Sequence, residues 1–421
     1  MILHNEIKKD HQIIKFCFYG FFKNLKFFEP YLIIYLIGLG LSLFQIGILY
    51  AIREAATYAL EIPSGIFADH YGKKKELLLC FTFYIASFIA LFIGQSFILI
   101  ALGMLLYGLG EAFRSGTHKG MILSYLEQKG WYSEKGFVYA RTRSFSLLGS
   151  SLSGFLSILF VLNLPSMRWI FLMSTIPYLF DFFLILSYPE SLDEATQKHF
   201  KFKEFWQTSL KQLKAILKKR RLLGIVISAS SYDAIFKTIK DYIQPIMGSL
   251  LVASSISIIS DFTVDQQLKI SLGILYGLFY ILSSIVSRNS YRLTKKSSAE
   301  TVFNKLYELM GVGLLLLGVA LRQNMLIASI LVFLSLYLMM DARRPIFVDV
   351  SSDYMTKEER VTTLSIESQF KSLFMIVFGP VFGFIADTWQ ISTLFLTLGV
   401  MVLVFGALLK RFNSDKVANA E

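Results

Sequence analysis

Gly65-Ile66-Phe67-Ala68-Asp69-His70-Tyr71-Gly72-Lys73-Lys74-Lys75 lies between two long apolar stretches. It joins a helix end, a carboxylate, a tight glycine turn and a cationic cluster. Because apolar runs of helical length continue on both sides, these charges belong at a membrane surface. Gly65 and Gly72 permit close helix approach and a tight turn. Asp69, at a helix end, is placed to accept hydrogen bonds from a neighbouring helix N-terminus, where the dipole favours an anion. Lys73, Lys74 and Lys75 can reach carboxylates or lipid phosphates. Such a constellation can clamp neighbouring helices on the cytoplasmic face and release them when they rock. A plain basic loop would need neither the carboxylate nor the glycines.

Hydrophobic residues make up 54% of the 421-residue chain and charged residues 17%. A soluble domain of this length needs more charge to cover its surface. Apolar runs of about 20 residues, enough to cross a hydrocarbon core of about 30 Å, recur along the whole length. Alternating ten-residue strand patterns are absent, which favours an all-α integral membrane bundle over a β-barrel. Cys17 and Cys80 fall inside apolar segments with no disulfide or metal-ligand spacing, and no cofactor is expected. The polar N-terminus and the long first apolar run do not read as a cleavable signal peptide. The net charge of +12 could in total suit nucleic acid, but the bases collect in alternate loops, which argues against it.

Twelve transmembrane helices are expected, at about 13–37, 44–68, 77–95, 97–125, 139–163, 168–188, 222–249, 267–287, 302–320, 325–345, 361–386 and 390–410. The longest polar stretch, 189–221, carries Lys198, Lys201, Lys203, Lys211, Lys214, Lys218, Lys219, Arg220 and Arg221, with Phe and Leu at helical spacing. It reads as a basic amphipathic linker on an anionic inner leaflet. The chain thus divides into an N-terminal six-helix bundle (1–188), this linker (189–221), a C-terminal six-helix bundle (222–411) and a cytoplasmic tail (412–421). Lys8, Lys9, Lys73 to Lys75, Lys129, Lys135, Arg288, Arg292, Lys295, Lys296, Arg343, Arg344, Lys357 and Arg360 fall in loops of one side. The positive-inside rule then puts both termini in the cytoplasm. Six plus six helices around a basic linker is what a duplicated transporter half would give.

At this point the chain resembles the major facilitator superfamily. Gly65, Asp69, Gly72, Lys74 and Lys75 match the signature that follows the second helix of that family, with His70 in place of the usual base. Arg53-Glu54, Glu61-Ile62-Pro63-Ser64, Gly108 to Thr117, and Gly379-Pro380-Val381-Phe382-Gly383 with Asp387 resemble a subgroup of bacterial members. The resemblance covers nearly the whole chain and implies two pseudo-symmetric six-helix bundles. It also implies a central cavity lined by helices one, four, seven and ten. Met104 stands near where drug/proton antiporters of the family carry an Arg, and segment five has Gly149 and Gly154 but no proline. Both departures weigh against drug efflux.

Ionisable groups at membrane depth are costly and normally face protein or water. Segment one carries Lys23, Lys26 and Glu29, and segment four Glu111, Arg114, His118 and Lys119. Segment seven carries Asp233, Lys237, Lys240 and Asp241, segment ten Asp341, and segment eleven Glu367 and Lys371. Segment six has Asp181 alone. Asp233, Lys237 and Asp241 share a helix face by spacing, as do Glu111, Arg114 and His118, and Glu367 and Lys371. Intrahelical pairing explains such groups structurally. The functional alternative is that Asp233, Glu111 and Glu29 exchange protons during transport, with Tyr232 beside Asp233. His118, beside Arg114 and Lys119, suits a proton relay or a hydrogen-bonded core role better than metal ligation. Cations slightly outnumber carboxylates, which mildly favours an anionic or zwitterionic solute.

The expected function is secondary active transport of a small organic solute by alternating access, driven by protons or another coupling ion. A monomer in the bacterial inner membrane is expected, with no enzymatic activity. The alternatives are proton-driven efflux of lipophilic drugs and a non-transporting membrane receptor on the same scaffold.

Overall fold

A computed structural model describes residues 2–193, 219–254, 262–295, 297–355 and 359–414. Their regular structure is helical throughout. In chain order the helices are α1 (Ile2–Lys9), α2 (His11–Lys23), α3 (Leu32–Gly38), α4 (Leu43–Tyr71), α5 (Lys73–Ile93), α6 (Phe97–Arg114), α7 (Thr117–Gln128), α8 (Lys135–Asn163), α9 (Trp169–Leu186), α10 (Arg220–Ile239), α11 (Ile243–Ser254), α12 (Val264–Asn289), α13 (Ala299–Arg322), α14 (Leu326–Ser352) and α15 (Glu359–Ser414). Among the described residues, nine helical stretches are long and apolar enough to cross a membrane. The last of them runs through α15, whose helical backbone breaks at Trp389 and Gln390, where segments eleven and twelve were expected to divide. Strongly exposed apolar residues such as Ile98 and Ile327 suit a lipid-facing surface.

Local chemistry sets the helix ends. The Asp10 carboxylate accepts the Gln12 and Ile13 amides at 2.9 and 3.0 Å and starts α2. Thr263 and Gln266 form a capping box at the start of α12. Gly72, at φ +102°, separates α4 from α5, and Gly116, at φ +79°, separates α6 from α7. Side-chain-bearing residues rarely adopt that backbone conformation.

Three expected spans are interrupted. Segment one is α2, a non-helical stretch, a turn of 3-10 helix at Glu29–Tyr31 and α3; segment four is α6 and α7; segment seven is α10, a 3-10 turn at Lys240–Tyr242 and α11. These are the segments that carry the most internal charge. Arg343 and Arg344, expected in a loop, instead lie inside α14, and Arg343 is buried. The apolar periodicity of segment ten runs straight through them, and hydrogen bonds to neighbouring helices offset the burial of Arg343. Lys73 to Lys75 form the first turn of α5 rather than a loop. The expected linker helix from Lys198 to Lys218, Lys357, and the tail beyond Ser414 lie outside the described residues.

The chain separates into two compact units. One comprises Met1–Leu39, Ile52–Phe200 and Lys269–Ile281, and the other Gly40–Ala51, Lys201–Leu268 and Leu282–Glu421. Within the first, Gly154 of α8 packs on Gly273 and Gly277 of α12, so closely that a Cβ on Gly154 would stand 2.6 Å from the Gly277 nitrogen. Tyr31 donates its hydroxyl to the Lys269 carbonyl at 3.0 Å, and Tyr280 donates to Glu29 at 2.8 Å. Within the second, the first turns of α4 pack on α15 through Gly47, Gly379 and Gly383. There the Asp387 carboxylate accepts the Leu43 amide at 3.0 Å and the Phe44 amide at 2.7 Å, closing the exposed N-terminus of α4.

Candidate functional site

Each unit holds a buried charged cluster. In the first, the end of α6 brings Glu111 and Arg114 together one turn apart. Arg114 donates to the same Glu111 oxygen from Nη2 at 2.7 Å and from Nε at 3.2 Å. Lys26 stands 4.0 Å from the other oxygen and over the Tyr107 ring. Lys23, at the end of α2, is buried, and its charge acts on Glu111 as well. Three cations therefore surround one carboxylate. The non-helical stretch after Lys23 is what lets two lysines of one segment converge here.

His118 does not continue the Glu111–Arg114 face, because the helix breaks at Ser115 and Gly116. It stacks on Tyr19 with ring centres 3.6 Å apart, and its Nε2 lies 3.3 Å from the Tyr188 hydroxyl. Its surroundings are aromatic and polar, as a hydrogen-bonded core role requires. Glu76, fully buried in the first turn of α5, accepts the Thr117 hydroxyl at 2.5 Å. Sequence reasoning passed over Glu76 because its position looked like a loop flank.

In the second unit, α10, α14 and α15 converge. Asp233, Lys237 and Arg344 each act electrostatically on Glu367, which pairs with Lys371 at 3.9 Å. That last pair is the one the four-residue spacing announced. Tyr232 is fully buried, and Asp341 lies within its electrostatic reach. Asp241 does not extend the Asp233–Lys237 face, since α10 ends at Ile239. On the 3-10 turn its carboxylate meets Lys240 at 3.2 Å and accepts from Tyr50 at 3.4 Å. Arg343 is the residue that loop counting missed. Its guanidinium sits 3.6 Å from the centre of the Phe303 ring and 4.3 Å from that of Tyr232. A cation inside an apolar helix, rather than at its end, was the available signal.

The expected gating motif is dispersed. Gly72 supplies the turn, and the Asp193 side chain packs against its Cα. Asp193 accepts the Lys74 amide at 2.8 Å, while Lys74 Nζ donates to the Tyr188 carbonyl at 2.9 Å and reaches Glu190 at 3.7 Å. A carboxylate thus does cap a helix start here, but it is Asp193. Asp69 and Lys75 are exposed, and a Cβ on Gly65 would meet nothing within 4 Å. Glu29, the remaining expected carboxylate, is held by Tyr280.

Comparison with known proteins follows the same lines. The family model described as Major Facilitator Superfamily matches residues 13–340. An uncharacterized MFS-type transporter of Bacillus subtilis (strain 168), YxaM, is 25% identical over 383 residues, spanning 90% of this chain and 89% of that protein. The crystal structure of the nucleoside transporter NupG superposes with a TM-score of 0.77 at 11% identity, covering 97% of this chain and 100% of that one. The D-xylose-proton symporter superposes with a TM-score of 0.70 at 12% identity, covering 95% of this chain and 96% of that one. At such identities the two structures speak to the fold alone.

Proposed function

Because the chain belongs to the Major Facilitator Superfamily, we propose that this multi-pass membrane transporter moves a small anionic or zwitterionic organic solute by alternating access, with protons as the coupling ion. The observation that carries the reading is the excess of cations around Glu111. Lys23, Lys26 and Arg114 bring three positive charges to one carboxylate in a buried setting, where an unbalanced charge is costly. An anionic group of the solute supplies the missing balance, and Arg114 offers it a planar fork of donors.

Asp233, Glu111 and Glu29 are the carboxylates proposed to exchange protons. Asp233 acts on Glu367 and Arg343, and both Asp233 and Asp341 act on the buried Tyr232. Opening such a group to water on one side and closing it again changes both its solvation and its cationic neighbours, which is how proton binding is tied to conformation. His118 serves as a relay beside Tyr19 and Tyr188. Gly65, Asp69, Gly72, Lys74 and Lys75 act as the gate, with Asp69 gaining a helix-end partner in another conformation. A monomer in the bacterial inner membrane with both termini in the cytoplasm fits the basic loops that flank these helices.

Uptake into proteoliposomes tests the reading. A panel of radiolabelled organic acids and amino acids should yield a solute whose accumulation collapses when the proton gradient is dissipated. Asp233→Asn should abolish accumulation while expression is retained. Transport of lipophilic cations alone, indifferent to organic anions, would overturn it in favour of drug efflux.

A further inference from the structure

Asp181 lies in α9 and is fully buried. Neither of its carboxyl oxygens has a hydrogen-bond partner among the described residues. Other acids of this unit keep at least one partner: Glu111 holds Arg114, Asp10 accepts two amides and the Tyr125 hydroxyl, and Glu76 accepts from Thr117 on one oxygen while its Oε1 has none among the described residues. An ionised carboxylate removed from water with no partner loses its hydration with nothing to replace it, which strongly disfavours the charged form. A neutral carboxyl avoids most of this cost. The species that fits this place is the protonated acid.

Helix α9 packs on α2, α5 and α8. Lys23 and Tyr19 on α2, and Tyr188 just beyond α9, lie within electrostatic reach of Asp181. Tyr178, on α9 itself, already donates its hydroxyl to the Lys23 carbonyl at 3.0 Å. Cys80 and Tyr84 stand nearby on α5, and Arg141 lies on α8 toward Cys17. Among the described residues Lys23 is the charge that acts on Asp181. The Tyr19 hydroxyl is also buried without a partner, and His118 stacks on that ring while its Nε2 meets the Tyr188 hydroxyl. Two phenols within electrostatic reach of Asp181 thus converge on one imidazole.

We propose that Asp181 is a proton-binding site of the transport cycle, loaded in this conformation and unloaded when α2 and α9 shift to bring the Lys23 ammonium against it. On unloading, the carboxyl O–H bond breaks and the proton passes by way of Tyr188 and His118 to water. Lys23 keeps its own proton and neutralises the carboxylate left behind. Lys23 thereby leaves the Glu111 cluster as Asp181 empties, so that proton and anion sites are filled in concert. The inference rests on the proton coupling proposed above and adds a residue to it.

Infrared difference spectroscopy on the purified full chain in lipid tests the loaded state directly. At neutral pH the wild type should show a protonated-carboxyl C=O band that shifts in D2O and is missing from Asp181→Asn. Asp181→Glu should restore a displaced band. Asp181→Asn should also unfold at the same temperature as the wild type or higher, whereas loss of a buried Asp181–Lys23 ion pair would lower it. In proteoliposomes, Asp181→Asn should keep solute counterflow but lose gradient-driven accumulation by about tenfold or more. A band unchanged in Asp181→Asn, or full accumulation by that variant where the wild type is gradient-driven, would sink Asp181 alone. A wild type indifferent to the proton gradient would remove the coupling reading and with it any place for Asp181 in the cycle.

Discussion

Arg343 donates from Nη2 to the Ser228 hydroxyl at 2.8 Å and from Nη1 to the Ser228 carbonyl at 3.2 Å. Its Nε donates to the Phe303 carbonyl at 3.3 Å. One side chain therefore ties α14 to α10 and α13, with aromatic rings covering the rest of the guanidinium. A lysine has neither the planar fork nor the stacking face. Arg343→Lys should cost about 3 kcal/mol, the value of one or two charge-assisted hydrogen bonds lost with their acceptors left buried. Thermal unfolding in detergent measures this, and an unshifted transition would show that the bonds are not tying the helices.

The Asp387 carboxylate on the Leu43 and Phe44 amides is a cap supplied from a distant part of the chain. Asp387→Asn keeps the shape and removes the charge that favours a helix N-terminus. The expected loss is about 1 kcal/mol. Hydrogen exchange should quicken at the first amides of α4 and stay unchanged at the start of α5, which Asp193 holds. Equal acceleration at both sites would mean that the cap is not local.

Close approach of α8 and α12 rests on glycine. A Cβ on Gly154 would sit 2.6 Å from the Gly277 nitrogen and 2.9 Å from the Gly273 carbonyl oxygen, both rigid backbone atoms. Gly154→Val should therefore destabilise the protein by about 1–3 kcal/mol through overpacking. Gly65→Ala, where nothing lies within 4 Å, serves as the control and should leave the unfolding temperature in place. A tolerated valine at 154 would show that the two helices separate at little cost.

Much of this is legible in the amino-acid sequence. Hydropathy located the helices because crossing lipid demands long apolar runs, and the Glu367–Lys371 pair followed from four-residue spacing on an unbroken helix. Spacing failed where the helix broke. Gly116 turned His118 off the Glu111 face toward Tyr19, and the 3-10 turn at Lys240–Tyr242 sent Asp241 to Tyr50. Contacts distant in sequence left no local trace: nothing near Leu43 announces Asp387, and nothing near Gly72 announces Asp193. Arg343 was misplaced because a loop-charge rule counts bases without asking what could satisfy them inside.

Glu111 and Arg114 provide the sharpest test of the anion reading. Arg114→Lys keeps the charge but loses the two-donor contact with one carboxylate oxygen, so the cation no longer points as it did. Glu111→Gln keeps the shape and leaves Lys23, Lys26 and Arg114 without their carboxylate. If an anionic solute balances these cations, Glu111→Gln should bind it more tightly, by about tenfold, because the internal competitor is gone. Turnover should fall together with that gain, since a solute held more firmly in the ground state leaves more slowly. Arg114→Lys should weaken binding with less effect on turnover once the site is filled. Equilibrium binding and proteoliposome flux on the same preparations separate the two effects. Weaker anion binding by Glu111→Gln would mean that the carboxylate orients the cations rather than competing with the solute for them.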